Sequence, residues 1–254
     1  MKYALSFILI LLVNLSSFAT DTKIIVRAKA KDAKFIGSSL GGAEVIIRDK
    51  MTNAILAQGK TEGSTGDTSL IMKTPLERGL SITDDKTAKF MANINIDEPT
   101  FITIEVYSTI KNEKARVSAS TDMWLIPGKD ILGEGVILEI PGFLINIETP
   151  NTNQDLSLAA IKKEPLKLKA KVVMMCGCPI NKNGLWDSEH IEVKAIVKLN
   201  NTVLKEVPLT FVTTNMFEGD LTLEKAGTYQ VILYAYDNTT GNTGVDKATY
   251  VVTK

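Results

Sequence analysis

The chain has 254 residues, of which 29 are basic and 29 acidic, so its formal net charge is zero. A neutral chain lacks the dense basic surface needed for nucleic-acid binding, and it lacks a polybasic patch for anionic membranes. Hydrophobic residues make up 44% of the sequence, which suffices for ordinary cores, whereas two cysteines are too few to hold a fold together by disulfides.

The N-terminus has the pattern of a cleaved secretory signal peptide. Lys2 precedes the apolar run Ala4–Val13, and the small residues Ser17 and Ala19 flank a cleavage position before Thr20. A charged start, a short apolar stretch and an A-x-A-like site are typical of such leaders, and the run is too short for a transmembrane span. We therefore expect residues 1–19 to be removed and the mature protein, which has no membrane span, to be periplasmic or secreted.

Alternating apolar and polar residues, and short β-branched runs bounded by turn residues, predict β-strands along most of the mature chain. In the first half, the predicted strands are Lys23–Ala30, Ala43–Arg48, Phe101–Tyr107 and Ile137–Ile140. In the second half, they are Leu166–Val172, Ile191–Val197, Tyr229–Tyr236 and Ala248–Val252. Short strands separated by Gly, Asn and Pro are typical of β-sandwiches. The segment Leu156–Lys163 is predicted as a short helix, which Pro165 should end.

A polar stretch near the middle of the chain predicts a domain boundary. Residues Glu148–Gln154 contain a proline and several side-chain amides, and they follow one predicted strand and precede a new set. The length of the mature chain suits two domains. We predict an all-β fold with two tandem antiparallel β-sandwich domains, residues 20–148 and 149–254, after the cleaved signal peptide.

Two local patterns resemble known modules. The segments Glu224–Tyr229, Ala235–Asp237 and Gly241–Gly244 resemble the closing strands of bacterial immunoglobulin-like and fibronectin-like modules. The segment Gly42–Ile47 is similar to carboxypeptidase-regulatory-like modules, although Asn53 stands where glycine is usual in their turn. Both resemblances imply β-sandwich domains with accessory, adhesive or binding roles and no shared catalytic residues.

Both cysteines and the single histidine of the chain lie close together in sequence. Cys176 and Cys178 follow the pair Met174-Met175, and His190 lies at the far end of the same predicted loop. In an extended strand the two cysteines and Met174 would point to one side, and His190 could swing towards them. Thiolate, thioether and imidazole are soft ligands that favour copper, especially Cu(I). Met174, Cys176, Cys178 and His190 are therefore a candidate metal site, with copper as the candidate cofactor.

Two other interpretations of the cysteines stay open. Cys176 and Cys178 can form a structural disulfide, because oxidising compartments preserve such bonds; in an extended strand their Cα separation would approach the upper limit for one. They can also form the redox pair of a thiol–disulfide oxidoreductase, although the chain lacks the usual C-x-x-C spacing. Trp186, in the same loop, is predicted to anchor the loop over the end of the sandwich.

Other polar segments carry weaker signals. The loop Thr61–Ser69 is rich in glycine and hydroxyls and could hold an anion or Ca²⁺, but it lacks the P-loop lysine and the acidic spacing of an EF-hand, so we expect a flexible connection. A Ser-His-Asp hydrolase would have to use His190, the single histidine of the chain. The sequence therefore favours a non-enzymatic binding or interaction protein of the bacterial cell envelope, whose partner is a protein, an envelope complex or a soft metal ion rather than nucleic acid.

Overall fold

The computed structural model describes residues 19–108, 116–151, 154 and 156–254. The predicted signal peptide lies outside this part of the chain except for Ala19. Sixteen β-strands and two short α-helices are found in the described residues, which confirms the predicted all-β fold. Within the same residues, no helix is long and apolar enough to cross a membrane.

Seven strands, β1 to β7, form two sheets from the first half of the chain. They are β1 Thr20–Ala30, β2 Glu44–Asp49, β3 Ile55–Lys60, β4 Phe90–Ile96, β5 Thr100–Tyr107, β6 Ser118–Leu125 and β7 Ile131–Ile140. The order is β4-β1-β7 in one sheet and β3-β2-β5-β6 in the other. A 3-10 turn, Ser38–Leu40, precedes β2, and the short helix α1, Thr68–Met72, lies between β3 and β4.

Nine strands, β8 to β16, form two further sheets from the second half. They are β8 Phe143–Thr149, β9 Leu156–Ser157, β10 Leu166–Met174, β11 Ile191–Leu199, β12 Thr202–Pro208, β13 Thr210–Thr213, β14 Met216–Leu221, β15 Gly227–Asp237 and β16 Thr243–Thr253. The order is β13-β14-β10-β8 in one sheet and β12-β11-β15-β16-β9 in the other. Helix α2, Leu158–Lys163, ends two residues before Pro165, as the sequence predicts.

Most neighbouring strands are antiparallel, as predicted, but each half contains one parallel pair. β1 pairs with β7 in parallel, and β16 pairs in parallel with the two-residue strand β9. Strands joined by a tight hairpin must be antiparallel. β7 is instead reached by a connection from the opposite sheet, so it can run in the same direction as β1. Alternating patterns along one strand do not reveal this direction, because parallel and antiparallel strands share the same side-chain period.

The alternating residues of the strands fill a core between the sheets. Along β1, Ile24, Val26 and Ala28 are fully buried, and along β5 the buried residues are Ile102, Ile104 and Val106. In the second half, β15 buries Val231 and Leu233 in the same manner. Burial of such side chains contributes about 1.5–3 kcal/mol each relative to exposure, which makes packing the main source of stability in a chain with two cysteines.

The change from the first pair of sheets to the second occurs close to Pro141. β7 ends at Ile140 and belongs to the first pair, whereas β8 begins at Phe143 and pairs with β10. β8 therefore lies with the second half, although the sequence analysis assigned residues 143–148 to the first domain. We call strands β1–β7 the first unit and strands β8–β16 the second unit below.

Candidate functional site

The two cysteines lie in a tight turn that follows β10. The Gly177 N–H donates a hydrogen bond to the Met174 carbonyl at 2.7 Å, and the Met174 N–H donates to the Cys178 carbonyl at 3.2 Å. Gly177 has φ +79°, a left-handed conformation that glycine adopts without a Cβ penalty. Cys176 and Cys178 form a disulfide with a Cα separation of 5.4 Å. The extended geometry considered in the sequence analysis is therefore replaced by a disulfide-closed turn.

The rest of the loop has an ordered backbone of its own. Asn181 accepts a hydrogen bond from the Ser188 N–H at its carbonyl and donates its N–H to the Trp186 carbonyl. The Asp187 carboxylate then caps the 3-10 turn Ser188–His190 by accepting the Glu189 N–H, and this hydrogen bond holds the pKa of Asp187 below its usual value. These contacts fix the direction in which Trp186 leaves the loop.

The four candidate metal ligands do not meet in one cavity. Met174 is 2% exposed and lines a small cavity of about 80 Å³ together with the exposed His190. Cys176 and Cys178 are bonded to each other and line a separate groove. Among the described residues, no group of three or more His, Cys, Asp or Glu side chains is arranged to hold a metal ion. Copper binding by these residues stays a prediction.

The disulfide turn and its loop pack against the first unit. The indole of Trp186 is 9% exposed, and its Nε1–H donates a hydrogen bond of 2.8 Å to the Asp32 carbonyl, which follows β1. The backbone of Gly177 lies against the Leu40 side chain, and a Cβ built on Gly177 would be 3.0 Å from it. The turn therefore belongs to the junction between the units.

A buried asparagine joins the same two units beside the loop. Asn242 is fully buried; its Oδ1 accepts the Gly142 N–H at 2.8 Å, and its Nδ2 donates to the Lys31 carbonyl at 3.1 Å. Both polar ends of the amide are satisfied, so no desolvation cost is left uncompensated. This contact holds the segment that follows β1 close to the turn between β15 and β16.

A groove of about 480 Å³ opens at this junction. The first unit contributes Lys34, Ser39, Thr65, Thr68 and Lys73, and the second unit contributes Cys176, Gly177, Cys178, Pro179, Leu185 and Trp186. Its volume lies within the range of small-ligand pockets, which is about 300–1,000 Å³. We call this feature the junction groove; its polar side comes from one unit and its apolar side from the other.

The polar side of the junction groove carries positive charge. Lys34 Nζ donates a hydrogen bond of 3.0 Å to Thr68 Oγ1, and Lys73 is exposed near it at the end of α1. Within the described residues, neither lysine forms an ion pair with a carboxylate, and no acidic side chain lines the groove. Such an arrangement can bind a ligand with negative charge and an apolar part.

Only part of the junction groove could be found from the sequence. The cysteine cluster and Trp186 were identified by their rarity and spacing, and they form the apolar side. The loop Thr61–Ser69 was expected to be a connection, yet its Thr65 and Thr68 line the groove. Lys34 and Lys73 were missed, because single lysines between elements give no signal until the fold brings them together.

Comparison with known proteins gives no family for the chain. No family model matches it, and no curated protein matches its sequence significantly. Among solved structures it is similar to the fibronectin(III)-like modules of Clostridium thermocellum CbhA, with 10% identity, a TM-score of 0.30 and coverage of 91% of this chain and 93% of that chain. It is also similar to a DUF3823 family protein from Bacteroides uniformis, with 10% identity, a TM-score of 0.26 and coverage of 91% and 100%. Likenesses this distant do not assign the chain to a family.

Proposed function

We propose that this protein is an exported, non-enzymatic binding protein of the bacterial cell envelope and that it binds a partner in the junction groove. The observation that carries the proposal is the groove itself: both units contribute side chains to it, and its lysines have no carboxylate partner within the described part of the chain. Loops at the ends of rigid sandwiches commonly carry binding sites.

Export is supported by the sequence and by the state of the cysteines. The first 19 residues have the pattern of a leader that is removed during secretion. Disulfides such as Cys176–Cys178 persist in the periplasm and outside the cell, whereas the cytosol keeps thiols reduced. Both observations support the part of the proposal that locates the mature protein in the periplasm or the medium.

We also propose that the second unit is an immunoglobulin-like module. Its support is the resemblance of residues 224–244 to the closing strands of such modules, together with one structural detail. The buried Tyr229, near the start of β15, donates a hydrogen bond of 2.8 Å from its hydroxyl to the Lys225 carbonyl four residues upstream. A tyrosine that bonds back to the chain in this manner is frequent in Greek-key sandwiches of this class. For the first unit the carboxypeptidase-regulatory-like resemblance is the corresponding proposal.

The proposal is tested by photo-crosslinking in the bacterium that makes the protein. Leu185 is 47% exposed on the rim of the junction groove, so a photo-crosslinking residue placed there should give a discrete adduct. The matched control replaces Val251, which is 62% exposed on the outer face of β16. Cell fractionation of the same cultures locates the adduct. An adduct from position 185 alone, in the periplasm or medium, supports the proposal; equal yields at both positions, or a cytosolic protein, contradict it.

A second candidate function is Cu(I) binding by the reduced turn. The observation that favours it is that Cys176 and Cys178 lie within one hydrogen-bonded turn, so reduction would leave two thiols close together. Anaerobic Cu(I) titration of the reduced mature protein should then show near-stoichiometric uptake. The Cys176→Ser variant should lose this uptake, and wild-type uptake no greater than that of the variant would refute copper binding.

A further inference from the structure

We propose that the ligand of the junction groove is a short acidic peptide segment that carries an apolar side chain, an inference that rests on the proposed binding function. One side of the groove presents two cations and three hydroxyls, and the other side is apolar and contains a disulfide. Its volume of about 480 Å³ suits a few residues of an extended chain rather than the broad face of a folded domain.

The charge of the groove selects an anionic ligand. Lys34 and Lys73 line it, no acidic side chain is among its described lining residues, and neither lysine has an ion pair in the described part of the chain. Ser39, Thr65 and Thr68 add hydroxyls that can donate hydrogen bonds to a carboxylate beside these lysines. A basic peptide would meet two like charges, which makes its binding unfavourable.

The apolar side selects a peptide rather than an anionic glycan. Sugar rings stack well on open aromatic faces, but Trp186, the aromatic residue in the lining of this groove, is 9% exposed, and its Nε1–H is already bonded to the Asp32 carbonyl. Leu185 and Pro179 instead present exposed aliphatic surface beside the lysines. Aliphatic surface next to cations complements a leucine-like side chain flanked by Asp or Glu.

The test is a selection from a random peptide library on the disulfide-intact mature protein. The expected result is an enriched group of sequences with Asp or Glu next to an aliphatic residue. A synthetic peptide of the enriched sequence should bind the double variant Lys34→Glu/Lys73→Glu at least about tenfold more weakly, because two attractive charges become repulsive. Binding to the wild type should also weaken as salt is added, since exposed charges are screened.

Matched variants separate charge in the groove from charge in general. The double variant Lys129→Glu/Lys171→Glu makes the same change of net charge at exposed lysines outside the groove and should bind as the wild type does. The milder pair Lys34→Gln/Lys73→Gln keeps the test valid if the charge reversal disturbs folding, and it should weaken binding by a smaller factor. Circular dichroism and thermal unfolding verify that each variant is folded.

Three results would overturn the inference. They are enrichment of basic sequences, equal affinity of the wild type and the Lys34→Gln/Lys73→Gln variant for the enriched peptide, and binding of an acidic oligosaccharide such as oligogalacturonate without any peptide enrichment. If any of these results is obtained and position 185 still gives a discrete adduct in cells, the proposed binding function is retained and only the peptide as ligand is refuted. If neither an adduct nor peptide enrichment is observed, both the proposed binding function and the peptide ligand are refuted.

Discussion

At the scale of single residues, the most unusual side chain of the first unit is a buried arginine. Arg27 on β1 is 2% exposed, and its guanidinium donates hydrogen bonds to the carbonyls of Thr87, Ala88, Gly133 and Glu134. Burial lowers the pKa of Arg27 from its ordinary value, while the nearby carboxylate of Glu134 acts in the opposite direction. The residue ties the loop before β4 and the irregular segment 132–135 of β7 to β1.

Arg27→Met should lower the free energy of unfolding by about 3 kcal/mol, because several buried carbonyls lose their donor at once. Denaturant titration of the mature protein measures this loss. The matched control is Arg48→Met, which removes an ion pair of 3.2 Å with Glu105 on a partly exposed sheet face and should cost under about 1 kcal/mol. Equal losses for the two variants would show that the buried hydrogen bonds of Arg27 contribute nothing extra.

A buried tyrosine gives the second unit a defined response to alkaline pH. Tyr250 on β16 donates its hydroxyl to the Pro150 carbonyl at 2.9 Å. Burial, and secondly the charge of Asp246, raises the pKa of Tyr250 from 10.0 to about 12. The folded state therefore retains a proton that the unfolded chain releases near pH 10, so this contribution to stability is complete below pH 10 and is lost as the pH rises towards about 12.

Tyr250→Phe should flatten the alkaline part of the stability profile. The variant should lose about 1 kcal/mol at neutral pH with its hydrogen bond, but its free energy of unfolding should then fall less than that of the wild type above pH 10. Urea titrations across this pH range measure the difference. Tyr236→Phe, at an exposed position of β15, is the control and should follow the wild type. If the free energy of unfolding of Tyr250→Phe falls above pH 10 as steeply as that of the wild type, Tyr250 is not the group responsible for the alkaline loss of stability.

At the scale of elements, the strands were predictable and the turns between them were not. β5, β11 and β15 were found from alternation, because one face of each strand is more deeply buried than the other. β1 is buried on both faces from Ile24 to Ala28 and was found from its β-branched residues and the turn residues around it. Helix α1 was missed, since it has five residues and its start is set by the Asp67 side chain, which accepts the Leu70 N–H. The disulfide turn was located by its cysteines, but its conformation depends on contacts with the first unit.

The contact between Gly177 and Leu40 can be isolated with two glycine variants. Gly177→Ala forces a left-handed alanine, and its Cβ meets Leu40 at 3.0 Å, whereas Gly79→Ala forces φ +87° with open space around the new Cβ. Gly79→Ala should therefore cost about 1 kcal/mol and Gly177→Ala at least about 2 kcal/mol. Chemical unfolding of both variants measures the difference.

The double variant Leu40→Ala/Gly177→Ala provides the control for this contact. Removal of the Leu40 side chain makes room for the new methyl group, so the combined loss should be smaller than the sum of the two single losses. If the losses of the two single variants are strictly additive in the double variant, or if Gly177→Ala and Gly79→Ala lose equal stability, Gly177 is not in tight contact with Leu40 of the first unit.

At the scale of the whole molecule, the proposed binding site depends on how the two units meet. The hydrogen bond from Asn242 to Lys31 joins residues 211 positions apart, and that from Trp186 to Asp32 joins residues 154 apart. Contacts of this separation leave no periodic pattern in a sequence, since each depends on how two sandwiches meet. For this reason the sequence indicated the cysteine side of the junction groove and gave no sign of Lys34 and Lys73.

The binding role of the junction groove is tested most directly by hydrogen exchange. The disulfide-intact mature protein is compared with and without the crosslinked cellular partner or the enriched peptide. The account predicts slower exchange in two segments that are far apart in sequence, 65–73 and 176–186, and unchanged exchange at the opposite end of the second unit around Leu204 and Leu223. Protection confined to that opposite end, or to one of the two segments alone, would contradict a site shared by both units.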